Sequence, residues 1–128
     1  MKPELMLLLD AVVLTFVQML IATTGAQLQV GLPTLAGNRE NLPEIRGWAG
    51  RARRAHLNML ENLVLFAVLV LVAVVLGKTN DATLVGAQMF LWARVAYLLI
   101  YLVGIPWIRT LAWAVSIAGL IVIFVQLV

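Results

Sequence analysis

The sequence predicts an all-α integral membrane protein, in which a single domain over residues 1–128 forms an antiparallel bundle of four transmembrane helices. The first observation is composition: 63% of the 128 residues are hydrophobic and 12% are charged, against about 45–50% and about 25% in soluble domains. The second is that four apolar stretches reach the roughly 20 residues that a helix needs to cross a bilayer. They are too long and too continuous for barrel strands. The composition therefore disfavours a soluble enzyme, a disordered chain and a secreted mini-protein.

The four predicted spans cover residues 5–26, 51–76, 83–103 and 107–128. The first span is interrupted by Asp10 and Gln18, and Thr24-Gly25-Ala26 offers the small residues of a signal-peptide cleavage site. Its apolar run is longer than the about 7–15 residues usual in a signal peptide, and it contains an acid. We therefore expect the first span to remain in the membrane.

Three connections join the spans. The long one, residues 27–50, contains the glycines and prolines that favour turns over continued helix. Asn80-Asp81 marks a short turn between the second and third spans, and Gly104-Ile105-Pro106 marks another between the third and fourth. Connections this short hold consecutive helices side by side and antiparallel.

The basic residues predict the orientation in the membrane. One side of the bundle, which carries the first and third connections, holds Arg39, Arg46, Arg51, Arg53, Arg54 and Arg109. The other side holds only Lys2 and Lys78. Since Lys and Arg concentrate in cytoplasmic loops, we expect the 27–50 connection to be cytoplasmic and both termini to lie outside an inner or plasma membrane.

Several kinds of chemistry are excluded by residue counts. The chain has no cysteine and one histidine, so it has no disulfide, no thiolate nucleophile and no histidine-rich metal site, and we predict no metal. The net charge of +3 comes from arginines between apolar runs. This placement is typical of membrane topology rather than of nucleic-acid binding.

Two charged residues lie where an apolar helix should have none. Arg94 is about nine residues, or about 13 Å, from the cytoplasmic end of the third span, and Glu61 lies at a similar depth in the second. An isolated charge at mid-membrane costs at least about 2.5–3.5 kcal/mol. We therefore predict that Glu61 and Arg94 pair, either as part of a site or as a structural ion pair that fixes helix register.

Polar residues recur at helical spacing on three of the spans. These stripes are Arg51, Arg54, Asn58 and Glu61 on the second span, Arg94, Tyr97 and Tyr101 on the third, and Arg109, Trp113 and Ser116 on the fourth. Together they predict a mostly positive cleft that opens to the cytoplasm, binds an anion, and is completed by other copies in a homo-oligomer. The arginines of the second span could instead be topology charges at the lipid headgroups, and the tyrosines could serve packing.

The run Arg54-Ala55-His56-Leu57-Asn58-Met59-Leu60-Glu61-Asn62 resembles the signature of the MAPEG family, membrane-associated proteins in eicosanoid and glutathione metabolism. Arg94-Val95-Ala96-Tyr97, followed by Tyr101 and Arg109, is similar to a second part of the family pattern. The likeness covers nearly the whole chain. Family members include microsomal glutathione transferases, leukotriene C4 synthase and prostaglandin E synthase, and they are homotrimers of four-helix subunits.

The resemblance implies a glutathione-dependent transferase or peroxidase that acts on lipophilic electrophiles or hydroperoxides arriving from the lipid bilayer. Its co-substrate glutathione would bind between subunits, where arginines suit the carboxylates and a glutamate suits the amine. Arg109 matches the arginine that stabilises the thiolate. The binding residues implied are Arg51, Arg54, Asn58, Glu61, Arg94, Tyr97 and Tyr101.

Some positions depart from the active pattern. Leu57 stands where several glutathione-using members have arginine, Gln27 and Gln29 stand where a basic residue ends the first span, and Trp113 replaces a hydroxylated aromatic. Two alternatives therefore stay open. One is a non-catalytic member that binds a lipid or another anionic ligand, and the other is a small multidrug transporter of lipophilic cations, which would need Glu61 accessible and free to titrate.

Overall fold

The computed structural model describes all residues 1–128 and contains only α-helices. Their bounds are Pro3–Val30 (α1), Leu32–Ala36 (α2), Gly47–Val75 (α3), Asp81–Val103 (α4) and Pro106–Leu127 (α5). The four long helices are apolar and long enough to cross a membrane. The predicted all-α class with four long apolar helices is therefore confirmed, and the protein is a multi-pass integral membrane protein.

Local chemistry sets where the helices begin and end. The Asn80 side chain accepts a hydrogen bond from the Thr83 backbone N–H, while the Thr83 hydroxyl accepts one from the Asn80 N–H, so a reciprocal capping box starts α4. Gly104 ends α4 in the left-handed conformation, with φ of +92°, which glycine adopts without steric cost. Pro106 then begins α5, where its missing N–H has no helical partner to lose.

Helices α1 and α3 extend further than the predicted spans toward the long connection. α1 continues to Val30 because the first helix-breaking residue after Ala26 is Gly31, at φ of +84°. α3 begins at Gly47, so the connection between these helices shortens to residues 31–46 and contains α2. The Gln29 amide holds its two ends together, since Nε2 donates to the Arg46 carbonyl at 2.6 Å and Oε1 accepts from the Arg46 N–H at 2.9 Å.

Two pairs of helices pack closely through small residues. In the α4–α5 pair, a Cβ added at Gly86 would lie 2.7 Å from the Gly119 carbonyl oxygen, so only glycine allows this backbone contact. In the α1–α3 pair, Gly25 faces Ala49 in the same way. The two pairs meet at a core in which the Phe66 and Phe90 rings stack with centroids 4.2 Å apart.

The outward faces of the bundle are strongly apolar. Phe16, Leu65 and Phe124 are each more than half exposed on the single chain. A soluble monomer does not expose apolar surface on this scale, so hydrocarbon chains or other copies of the protein must cover it. Since the outward faces carry few polar groups, a site that binds a polar ligand has to form where polar residues lie inside the bundle.

Candidate functional site

Part of each predicted polar stripe lies where α3, α4 and α5 meet, at the end of the bundle that carries the 31–46 connection. A hollow of about 300 Å³ opens there. Its lining residues are Asn58, Tyr97, Tyr101, Arg109, Thr110 and Trp113. Four of the predicted site residues, Asn58 and Tyr97 among them, thus line one cavity.

Tyr101 organises the basic groups around this hollow. Its hydroxyl accepts a hydrogen bond from Arg54 Nε at 3.1 Å. The Arg109 guanidinium carbon lies 4.5 Å from the centroid of the same ring, within the range of a cation–π interaction. The Tyr97 ring meets the Tyr101 ring edge to face, with centroids 5.4 Å apart. The buried tyrosine pair therefore fixes two arginines from different helices beside one cavity.

Arg94 lies one turn further into α4 and is 1% exposed. Its guanidinium carbon is 4.2 Å from the centroid of the Tyr97 ring, but none of its three side-chain nitrogens has a hydrogen-bond partner. A buried charge in this state is costly unless something pairs with it. The chain itself supplies no hydrogen-bond partner for the Arg94 guanidinium.

The expected Glu61–Arg94 ion pair is not formed within the chain, so this prediction was wrong for one subunit. Glu61 is exposed, and the single ion pair present joins Arg46 to Glu44 on the surface, at 3.3 Å. The reason is the rotation of α3, which buries Asn62 and places Glu61 about 100° round the helix from it. Counting residues predicted the same depth for Glu61 and Arg94, but the side of α3 on which Glu61 lies depends on how the helices pack.

Arg51 also departs from the predicted cleft. Its Nε donates to the Leu102 carbonyl at 3.2 Å, and its side chain lies against Gly104. A cation at this place stabilises the carbonyl end of α4. Arg51 therefore holds α3 to the end of α4, and it does not line the hollow.

The sequence pattern of the MAPEG family matches residues 4–128. The chain belongs to the MAPEG family. This confirms the family membership that the motifs of the second and third spans predicted. No curated protein and no solved structure gives a significant match to the chain.

Within this MAPEG chain one lining residue was not predicted, and Ser116 is a further residue of the predicted stripes that does not line the hollow. Thr110 lines the hollow beside Arg109, and the only sequence signal for it was its place next to a predicted site residue. Ser116 is fully buried and donates its hydroxyl to the Trp113 carbonyl at 2.6 Å. Its polar group is thus satisfied by its own helix, a common arrangement for serine in an apolar helix.

The charge around the hollow decides what it can hold. Arg109 lines it, Arg54 reaches its rim through Tyr101, and Arg94 lies one turn deeper against Tyr97. No acidic side chain lines the hollow. Arginines beside a cavity with no acidic lining favour anionic groups, and a positive charge next to a thiol favours the thiolate.

Proposed function

We propose that this MAPEG protein is a glutathione-dependent transferase or peroxidase that acts on lipophilic electrophiles or hydroperoxides. The observation that carries the proposal is Arg109, which lines the hollow while it lies over the Tyr101 ring. Family membership supports it, since the MAPEG family includes glutathione transferases and peroxidases. The hollow between α3, α4 and α5 is the proposed glutathione site.

Glutathione suits the charges at this site. The tripeptide has two carboxylates, and the unpaired guanidinium of Arg94 together with Arg54 is the proposed pair of groups that receive them. Asn58 lines the hollow and supplies an amide for the peptide groups. Arg51, which is anchored on Leu102, contributes by holding α3 in place.

Arg109 is the proposed catalytic residue. Its positive charge lowers the pKa of the glutathione thiol and raises the thiolate population at neutral pH. With an electrophile that reaches the site from the bilayer, the thiolate sulfur forms a bond to the electrophilic carbon, and the bond from that carbon to the leaving group breaks so that the group departs with the electron pair. With a hydroperoxide, the sulfur takes the terminal oxygen, the O–O bond breaks and the alcohol leaves, and a second glutathione then reduces the sulfenic acid to give glutathione disulfide and water. Since the charge of Arg109 acts on the developing thiolate, its removal is expected to reduce turnover more than binding.

A homotrimer is the proposed assembly. On a single chain the hollow is open and Glu61 is exposed. A neighbouring copy would close the hollow, and Glu61 would then face a subunit boundary, where it suits the amine of glutathione. The proposed orientation keeps the 31–46 connection in the cytoplasm and both termini outside, because the arginines concentrate on that side.

The test is isothermal titration of the detergent-purified protein with glutathione, followed by a conjugation assay with a lipophilic electrophile. Arg109→Ala is expected to keep glutathione affinity within a few-fold and to lower turnover by roughly 10²–10³-fold, the range seen when one charge-stabilising donor is removed. Arg46→Ala, an arginine already paired on the surface with Glu44, is the matched control and should change neither. Absence of binding at millimolar glutathione would refute the proposal, and binding without turnover would favour a non-catalytic member.

A transporter of lipophilic cations is the second candidate, because Glu61 is exposed and has no partner in the chain. Such a carboxylate could exchange a proton for a cation. Proton-coupled efflux that is lost in Glu61→Gln and retained in Arg94→Ala would support this function over the enzyme.

A further inference from the structure

A second hollow, of about 190 Å³, lies between α1, the 31–46 connection and α3. It shares no lining residue with the hollow that contains Arg109. On α3 it is lined by Arg53 and His56, whereas the first hollow uses Asn58 on a neighbouring face of the helix. Its volume is far above the about 10–15 Å³ that one water needs, so it can hold a small polar group.

The walls of this second hollow are basic. Arg39 comes from the connection, and Arg53 and His56 come from α3, while no acidic residue lines the hollow. The Nδ1 atom of His56 is buried and has no hydrogen-bond partner in the chain. Two guanidinium groups and an imidazole around one cavity favour an oxyanion with several acceptor oxygens.

Arg39 is held in place by its own backbone. It is the one non-glycine residue with positive φ, at 60°, a conformation that costs free energy for an L side chain. Its Nε donates to the Leu35 carbonyl at 2.7 Å, which leaves the two terminal nitrogens of the guanidinium for another acceptor. The hydrogen bond therefore directs the guanidinium along the connection, beside the hollow that Arg39 lines.

Apart from Thr23, the remaining wall residues are apolar, and two of them extend to the outer surface of the bundle. Met19 and Leu57 both line the hollow, and they are 39% and 48% exposed on the outer surface of the bundle. Arg53 lies six residues after the start of α3, or about 9 Å along the helix. Since α3 has 29 residues and exceeds the about 30 Å hydrocarbon thickness, this level is near the boundary between headgroups and hydrocarbon.

We propose that the second hollow binds the phosphate of an anionic phospholipid, with Arg39 and Arg53 on the phosphate oxygens and the acyl chains along Met19 and Leu57. A free phosphate ester offers the same oxygens, but it cannot use the exposed apolar wall that joins the hollow to the bilayer. The site is separate from the proposed glutathione site, so either can exist without the other.

The experiment is native mass spectrometry of the full-length protein in detergent, incubated with phosphatidylglycerol, with phosphatidylcholine, or with glycerol 3-phosphate. We expect retention of phosphatidylglycerol over phosphatidylcholine, and no retention of glycerol 3-phosphate. In Arg39→Gln/Arg53→Gln the preference should fall by at least about tenfold, because each arginine near an anionic lipid contributes roughly fivefold. Arg46→Gln removes a surface arginine of the same connection and should leave the preference intact.

Three outcomes would overturn the proposal. They are an unchanged preference in the double variant, equal retention of glycerol 3-phosphate, and displacement of the lipid by millimolar glutathione, which would assign the hollow to the thiol site. The single variant Arg53→Gln, with about a fivefold expected loss, serves if the double variant does not fold. Glutathione titration of the same variants separates this proposal from the enzymatic one, since the lipid site predicts unchanged glutathione affinity.

Discussion

The two ends of the bundle differ in whether their most deeply buried charged group has a hydrogen-bond partner within the chain. At the end that carries the termini, the Thr83 hydroxyl donates to the buried Glu4 carboxylate at 2.8 Å, and Asn80 Nδ2 donates to Gln126 Oε1 at 2.9 Å. At the end that carries the 31–46 connection, Arg94 is equally buried and its guanidinium has no hydrogen-bond partner. Polar groups at the first end join helices α1, α4 and α5, whereas the buried guanidinium of Arg94 at the second end joins no other helix through a hydrogen bond.

This difference distinguishes buried polar groups that the chain satisfies, such as Glu4, from the Arg94 guanidinium, which it does not. A buried group that is satisfied within the chain fixes the register of its helices and stabilises the fold. A buried group that is unsatisfied destabilises the chain alone and is retained where a ligand or subunit completes it. Substitutions at the two ends should therefore move stability and binding in different combinations.

The largest effect is expected for Arg94→Met. Glutathione affinity should fall roughly 10–100-fold through loss of a charged hydrogen-bond donor, while the ligand-free protein should become more stable by about 1–3 kcal/mol because an unsatisfied buried group is removed. Titration and thermal unfolding measure the two quantities. Lower stability in the variant would contradict this account and show that Arg94 has a partner in the assembly.

A smaller effect, confined to stability, is expected for Glu4→Ala at the opposite end. The variant leaves the Thr83 hydroxyl without its carboxylate partner, which should lower the free energy of unfolding by about 1–3 kcal/mol. Glutathione affinity should not change. Asp81→Ala is the matched control, since this exposed acid in the first turn of α4 stabilises the helix by less than about 1 kcal/mol. Equal destabilisation by the two variants would mean that the Glu4–Thr83 hydrogen bond contributes no more to the free energy of unfolding than an exposed acid does.

Tyr101→Phe tests how the ring and the hydroxyl divide their roles at the ligand-binding end. The ring under Arg109 is kept, but Arg54 loses its acceptor. We expect the KM for glutathione to rise roughly three- to tenfold, with kcat changed less. In an Arg54→Ala background the same substitution should have little effect, and an undiminished effect there would disconnect Tyr101 from Arg54.

The smallest effect is expected for Asn80→Ala, which removes the side-chain cap of α4. The loss should be about 1 kcal/mol of unfolding free energy. Asn80→Asp keeps an acceptor for the Thr83 N–H and should lose less. A thermal shift that is the same for both variants would indicate that the cap contributes through Gln126 instead.

Much of the fold could be predicted because it depends on local and one-dimensional properties. The four long apolar runs require helices in a bilayer, and Asn80, Gly104 and Pro106 end or begin them by chemistry visible in the chain. The stripe that contains Tyr97 and Tyr101 was also predictable, since residues three or four apart share a helix face. These two tyrosines do line the hollow.

The failed predictions at Glu61 and Arg51 concern the direction in which a helix face points. Glu61 was predicted to face Arg94, but α3 is rotated so that Glu61 is exposed. Arg51 belongs to the predicted stripe, yet it bonds to the Leu102 carbonyl. The second hollow was not predicted, because its charges come from a connection and from a face of α3 that share no sequence pattern.

The amino-acid sequence by itself determined that this is a membrane protein, how many membrane-spanning helices it has and which family it belongs to. These properties follow from hydropathy and motif spacing, which belong to the linear chain. The tertiary structure alone decided which arginines are satisfied, at Arg51 and Arg54, and which is not, at Arg94. The physical reason is that helix rotation follows from close contacts such as Gly86 against Gly119.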